Sequence, residues 1–115
     1  MSNQNRKHIL LRLIRLDGDL GLINNELKSF SWDVEEPIVI LTMVEVRDVL
    51  RQYLNGKKTI EDLEKWADLI ECRDDIGFDA PSADTIKTII NKLANPEING
   101  RINIETINNW LQDQK

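Results

Sequence analysis

The chain has 115 residues, of which 41% are hydrophobic and 30% charged, the balance of one globular domain and not of a disordered chain. Its 20 acids against 15 bases leave a net charge of −5, which argues against a dedicated DNA- or RNA-binding role, because phosphate binding rests on a positive surface. The single cysteine, Cys72, excludes an internal disulfide, and with the single histidine, His8, it excludes a zinc site of four Cys or His ligands within one chain.

Cys72 is expected as a half-buried small hydrophobe in a reducing compartment. His8 is expected as a surface or packing residue in a basic N-terminal stretch. Residues 1–7 precede an apolar run, as in a signal peptide. Arg12 and Arg15 interrupt that run, and no small-residue cleavage site follows. No stretch reaches the ~20 apolar residues of a membrane span. The expected location is the cytoplasm, with no membrane contact.

In chain order, the apolar spacing is helical almost throughout. Ile9, Leu10, Leu13, Ile14 and Leu16 predict a first helix ending near Asp17-Gly18. Leu20, Ile23, Leu27 and Phe30 predict a second. Trp32 to Pro37 breaks the pattern, since proline disfavours helix at the residue before it. Residues 38–41, Ile-Val-Ile-Leu, are short and β-branched. With no second strong strand to pair with, they read as an extended buried connector, a two-stranded ribbon being the alternative. Thr42 caps a third helix in a capping box with Glu45, and Asn55-Gly56 ends it. Thr59 caps a fourth, with Glu61 and Asp62 in its first turn and Ile60, Leu63, Trp66, Ala67 and Ile70 inside. Ser82 or Asp84 starts a fifth, burying Ile86, Ile89, Ile90 and Leu93. Asn103 caps a sixth, carrying Ile104, Ile107 and Leu111 with Trp110 beside them. The expected fold is therefore all-α: a single domain, residues 1–115, built as a bundle of five to six short helices.

Charge placement is the main anomaly. Between Glu61 and Asp84 stand nine acids, opposed only by Lys65 and Arg73, for a local charge of −7 against +2 for the rest of the chain. On the fourth helix Glu61, Glu64, Asp68 and Glu71 fall at steps of three and four and share a face, at a cost of about 0.2–0.5 kcal/mol per like-charged pair. Asp74 and Asp75 follow at the negative end of the same helix, where the dipole disfavours them. Three readings stand: a solvated face, internal pairing with the basic N-terminal residues Arg6, Lys7, Arg12 and Arg15, or a docking surface for a basic protein. In the docking reading the partner-binding residues are Glu61, Glu64, Asp68, Glu71, Asp74, Asp75 and Asp79. Trp32 and Trp110, near helix ends, are candidate anchors, because aromatics dominate interface hot spots.

Enzyme chemistry finds little support, and the chain is expected not to be an enzyme. No Ser-His or Cys-His pairing is signalled, and no glycine-rich phosphate loop is present. Asp74 to Asp79 has the look of a calcium loop with the wrong spacing: glycine is fourth instead of sixth, and no glutamate stands at the twelfth place. No metal or cofactor is expected.

Tyr53-Leu54-Asn55-Gly56, followed by Leu63, Trp66-Ala67, Ile70-Glu71 and Arg73-Asp74-Asp75-Ile76-Gly77-Phe78, resembles a group of small bacterial helical proteins. They share Y-L-x-G and then L-x-x-W-A-x-x-I-E-x-R-D-D-I-G-F. The resemblance covers residues 41–78. It implies a short helical cytoplasmic protein and membership among the immunity proteins of toxin–immunity pairs, including contact-dependent growth inhibition systems. Such proteins block a toxin domain that is frequently a basic nuclease. The alternative is a non-catalytic helical adaptor or structural subunit of a bacterial assembly. Within Arg73 to Phe78, a structural role competes with direct partner contact: Gly77 would let the chain turn, and Arg73 would pair with a nearby acid.

Overall fold

A computed structural model describes residues 2–30 and 34–112. The first helix, α1 (Ser2–Ile14), begins well before the apolar pattern at Ile9. Its polar first half carries the buried Arg6, which pairs with Asp75 at 2.9 Å. Its end is a Schellman turn: the Asp17 amide donates to the Arg12 carbonyl at 2.9 Å and the Leu16 amide to the Leu13 carbonyl at 3.0 Å. Leu16 takes the left-handed place at φ 51 that glycine usually fills, and its side chain is 2% exposed.

Helix α2 (Leu20–Leu27) is capped by Asp19, whose carboxylate accepts from the Leu22 amide at 3.1 Å. It stops three residues short of Phe30. Helix α3 (Met43–Leu54) carries the expected capping box between Thr42 and Glu45 and ends at Asn55 and Gly56, the glycine at φ 79. Helix α4 (Ile60–Glu71) also has a capping box, closed by Asp62 reaching back to the Thr59 amide at 2.9 Å. A short 3-10 turn, Ala80–Ser82, leads into α5 (Ala83–Ala94). A four-residue α6 (Pro96–Asn99) precedes α7 (Ile104–Gln112), where Asn103 accepts from the Thr106 amide at 2.9 Å.

The helical class holds, but the fold is not purely all-α. Residues Val39–Leu41 form a strand, β1, and Ile76–Phe78 form its partner, β2. The two are parallel, with Val39 opposite Ile76 and Leu41 opposite Phe78. Parallel pairing needs a long crossover, and α3 and α4 supply it. The ribbon alternative for residues 38–41 is thus realised, and the missing partner lies inside the Arg-Asp-Asp-Ile-Gly-Phe segment.

Gly77 sits within β2 and makes no turn, contrary to expectation. A Cβ there would lie 2.9 Å from both Ile40 Cδ1 and Pro37 Cγ, so the bare backbone is what lets the Ile40 side chain and the Pro37 ring lie over it. The core runs through all the long elements, from Leu10 and Leu13 through Val46, Leu50, Leu63, Ile86 and Leu93 to Ile107. Trp66 is fully buried at its centre, and its indole N–H donates to the Leu13 carbonyl at 2.8 Å. That bond satisfies both a buried donor and an acceptor near the end of α1. No helix among the described residues is long and apolar enough to cross a membrane.

Candidate functional site

Capping and the apolar stripe of α4 set the orientation of its acids. Leu63, Trp66, Ala67 and Ile70 face inward, which turns Glu61, Lys65 and Asp68 to solvent. Glu64 is half-buried. Its carboxylate accepts from Arg101, with Nε 3.1 Å from Oε2 and Nη2 3.2 Å from Oε1. The same Nη2 lies 3.2 Å from Glu61 Oε2. Glu71 accepts from Asn91 Nδ2 of α5 at 3.1 Å and from Asn95 Nδ2 at 3.4 Å. The stripe therefore has internal partners, but they come from the chain after α4 and not from the basic N-terminus.

Of the N-terminal cations, Arg12 pairs with Glu26 at 3.3 Å, and Lys7 and Arg15 are exposed. Only Arg6 reaches the acidic segment, and it does so at Asp75. Asp75 is fully buried. Arg6 donates Nε and Nη2 to Oδ2 at 3.2 and 2.9 Å, while Arg73 grips both oxygens, Nε to Oδ1 at 2.8 Å and Nη2 to Oδ2 at 2.9 Å. The Arg6 guanidinium also lies 5.7 Å from the Phe30 ring centroid. The Asp75 carbonyl accepts from the amides of Ile38 and Val39 at 2.8 and 3.2 Å, which joins this cluster to the entry of β1. Asp75 thus leaves the set of residues a partner could touch. Between the two readings of Arg73 to Phe78, the packing is that of a structural joint.

What remains accessible is narrower than the sequence suggests. Asp68 and Asp74 are exposed and form no ion pair among the described residues. Asp79 is half-buried, and its amide donates to the Leu41 carbonyl at 3.0 Å at the end of the strand pair. Trp110 is half-buried against the core, beside a shallow depression with Asp84, Thr88 and Ile89. Trp32 lies outside the described residues. Cys72, expected to be half-buried, is exposed, because it is the C-cap of α4, one position past the last helical residue Glu71. Partial burial, with Asp68 and Glu71 nearby, pushes its thiol pKa above the ordinary value.

Asp68 does not stand alone. It lines a surface cleft between α4 and α2 with Asp62, Lys65 and Leu69 on one wall and Asp19, Leu20 and Asn24 on the other. Three carboxylates thus surround one opening against a single lysine. Asp19 is not among the expected site residues. Its role as a helix cap is legible in Asp19-Leu20, but its place across from α4 depends on tertiary packing. Among the described residues, no group of three His, Cys, Asp or Glu side chains is arranged to hold a metal ion. No family model, no curated protein and no solved structure matches this chain.

Proposed function

We propose that this chain is an immunity protein: a cytoplasmic protein-binding inhibitor that neutralises a cognate bacterial toxin domain, a basic nuclease, by docking through the acidic face of α4. The observation that carries the reading is the cleft between α2 and α4, where Asp68, Asp62 and Asp19 converge with only Lys65 opposed. Asp19 and Asp62 also cap α2 and α4, whereas Asp68 caps nothing; the charge of all three speeds encounter with a basic surface and rejects acidic partners. The resemblance of residues 41–78 to a group of small bacterial helical proteins, read as implying membership among immunity proteins, agrees with this reading. Inhibition by occlusion needs no catalytic group, and the proposal assigns none. The direct test is co-expression with a candidate toxin domain. Wild-type protein should protect cells, and a variant carrying Asp68→Lys and Asp74→Lys should protect poorly.

A second reading, a helical adaptor or structural subunit, draws on the exposed apolar residues Leu22, Val44 and Ile98, which are 62%, 64% and 79% exposed. In that case the acidic variant would behave as wild type, and substitutions at these apolar positions would abolish assembly.

A further inference from the structure

The segment after α5 is tied to the rest of the molecule at few points. Helix α7 packs on α3, but of its nine residues only Ile107 is buried, whereas α3, α4 and α5 each bury four. Ile102, Trp110 and Leu111 are half-buried against the core, and Ile98 and Ile104 are 79% and 54% exposed. Apolar anchoring scales with the area removed from water, so α7 is held more weakly than those three helices. Backbone hydrogen bonding adds no further tie: among the described residues, the bonds donated by Ile98, Gly100 and Ile107 close on Asn95, Pro96 and Asn103, within the segment or at its first joint. Arg101 supplies a polar contact with α4, forking onto Glu64 at 3.1 and 3.2 Å. Its side chain is 55% exposed, and exposed ion pairs contribute little to stability.

The chain is built to bend at both ends of α6. Asn95 leaves the helical region at φ −128 and ψ 60, Pro96 disfavours helix at that residue, and α6 has no side-chain cap. Gly100 stands at φ 82, and a Cβ there would meet nothing within 4 Å. We infer that residues 96–112 form a hinged C-terminal lid, which opens as a unit while the helices before it and the strand pair stay folded. A nine-residue helix is marginal in water without its packing, so α7 gives up its helical hydrogen bonds when it leaves α3. Opening bares the side of α3 that α7 covers and takes Arg101 off Glu64. One motion thus changes an apolar and a charged surface together, and it draws on the least stable part of the fold, where moving elements are found. The inference does not depend on what α4 binds.

Native-state hydrogen exchange of the full chain, read residue by residue by NMR at urea concentrations below the main unfolding transition, tests the lid. Amides of residues 107–112 should share one opening, exchange about 100-fold or more faster than the core of α4 and α5, and respond weakly to urea. Ile107→Val should speed their exchange about 2–10-fold. Ile23→Val, on α2 in the part that stays folded, should speed exchange in α4 and α5 and leave residues 107–112 unchanged, because the contact it weakens is still made when the lid is open. Exchange of residues 107–112 that matches α4 and α5 in rate and urea dependence, or that rises with them in Ile23→Val, overturns the lid. Protection that fades stepwise toward Gln112 and ignores Ile107→Val is end fraying and overturns it as well, as does a complete lack of protection in α7.

Discussion

Arg6 and Asp75, 69 positions apart in sequence, meet at 2.9 Å in the interior, where Arg73 grips the same carboxylate. One fully buried carboxylate answers two guanidiniums, and its own backbone carbonyl holds the entry to β1. The cluster therefore ties the N-terminal helix, the end of α4 and the strand pair at one point. Asp75→Asn should cost about 3–5 kcal/mol in urea unfolding, because it removes the buried negative charge that both guanidiniums grip. Replacing Arg6, Arg73 and Asp75 together with Met, Met and Leu should retain more stability than Asp75→Asn alone. An effect of Asp75→Asn below about 1 kcal/mol would contradict this role for the cluster.

Gly77 makes a second, independent prediction. Ile40 Cδ1 and the Pro37 ring each stand 2.9 Å from the place an added Cβ would take, so Gly77→Ala must displace both side chains, at about 1 kcal/mol. Thermal denaturation measures it. Pairing Gly77→Ala with Ile40→Ala should recover part of the loss, since one of the two clashing groups is then gone.

Leu16 combines left-handed backbone with burial. Leu16→Ala loses the packed side chain and keeps the backbone strain, whereas Leu16→Gly loses the side chain and relieves the strain. The glycine variant should be the more stable of the two by about 1 kcal/mol. The opposite order in chemical denaturation would show that the Schellman turn is unstrained.

Cys72 offers a readout of the field around the end of α4. Partial burial and the carboxylates of Asp68 and Glu71 disfavour its thiolate, so less thiolate is present at a given pH than for an ordinary cysteine. Alkylation near neutral pH should be slower than for a free cysteine peptide. Asp68→Asn should lower the thiol pKa and speed the reaction. An unchanged rate would place the Asp68 charge too far away or too well screened to matter.

The local signals are legible in the sequence. The caps at Thr42, Thr59 and Asn103 and the apolar stripes depend on residues three or four positions apart, and these elements form as expected. Strand β2 escapes a reading of the sequence because three residues around a glycine carry no periodicity, and their pairing is decided by β1 across two intervening helices. The acids of α4 lie along its outer side, as their spacing indicates. Spacing alone does not reveal that Arg101 folds over Glu61 and Glu64, that Asp75 turns inward, or that Asp19 stands across the cleft from Asp68. Each of these depends on packing between elements distant in sequence.

Docking through α4, as proposed, is tested most directly by association kinetics between this protein and a candidate basic toxin domain, at low and at high salt. Wild-type association should be fast and fall steeply as salt rises. Asp68→Lys with Asp74→Lys, which removes two accessible carboxylates that form no ion pair among the described residues, should slow association about tenfold or more at low salt and flatten the salt dependence. Glu97→Lys with Glu105→Lys, outside the acidic segment of residues 61–84, should change it far less. Equal effects from the two pairs of reversals, or an association rate indifferent to salt, would contradict docking through α4 and reduce its acids to a solvated face.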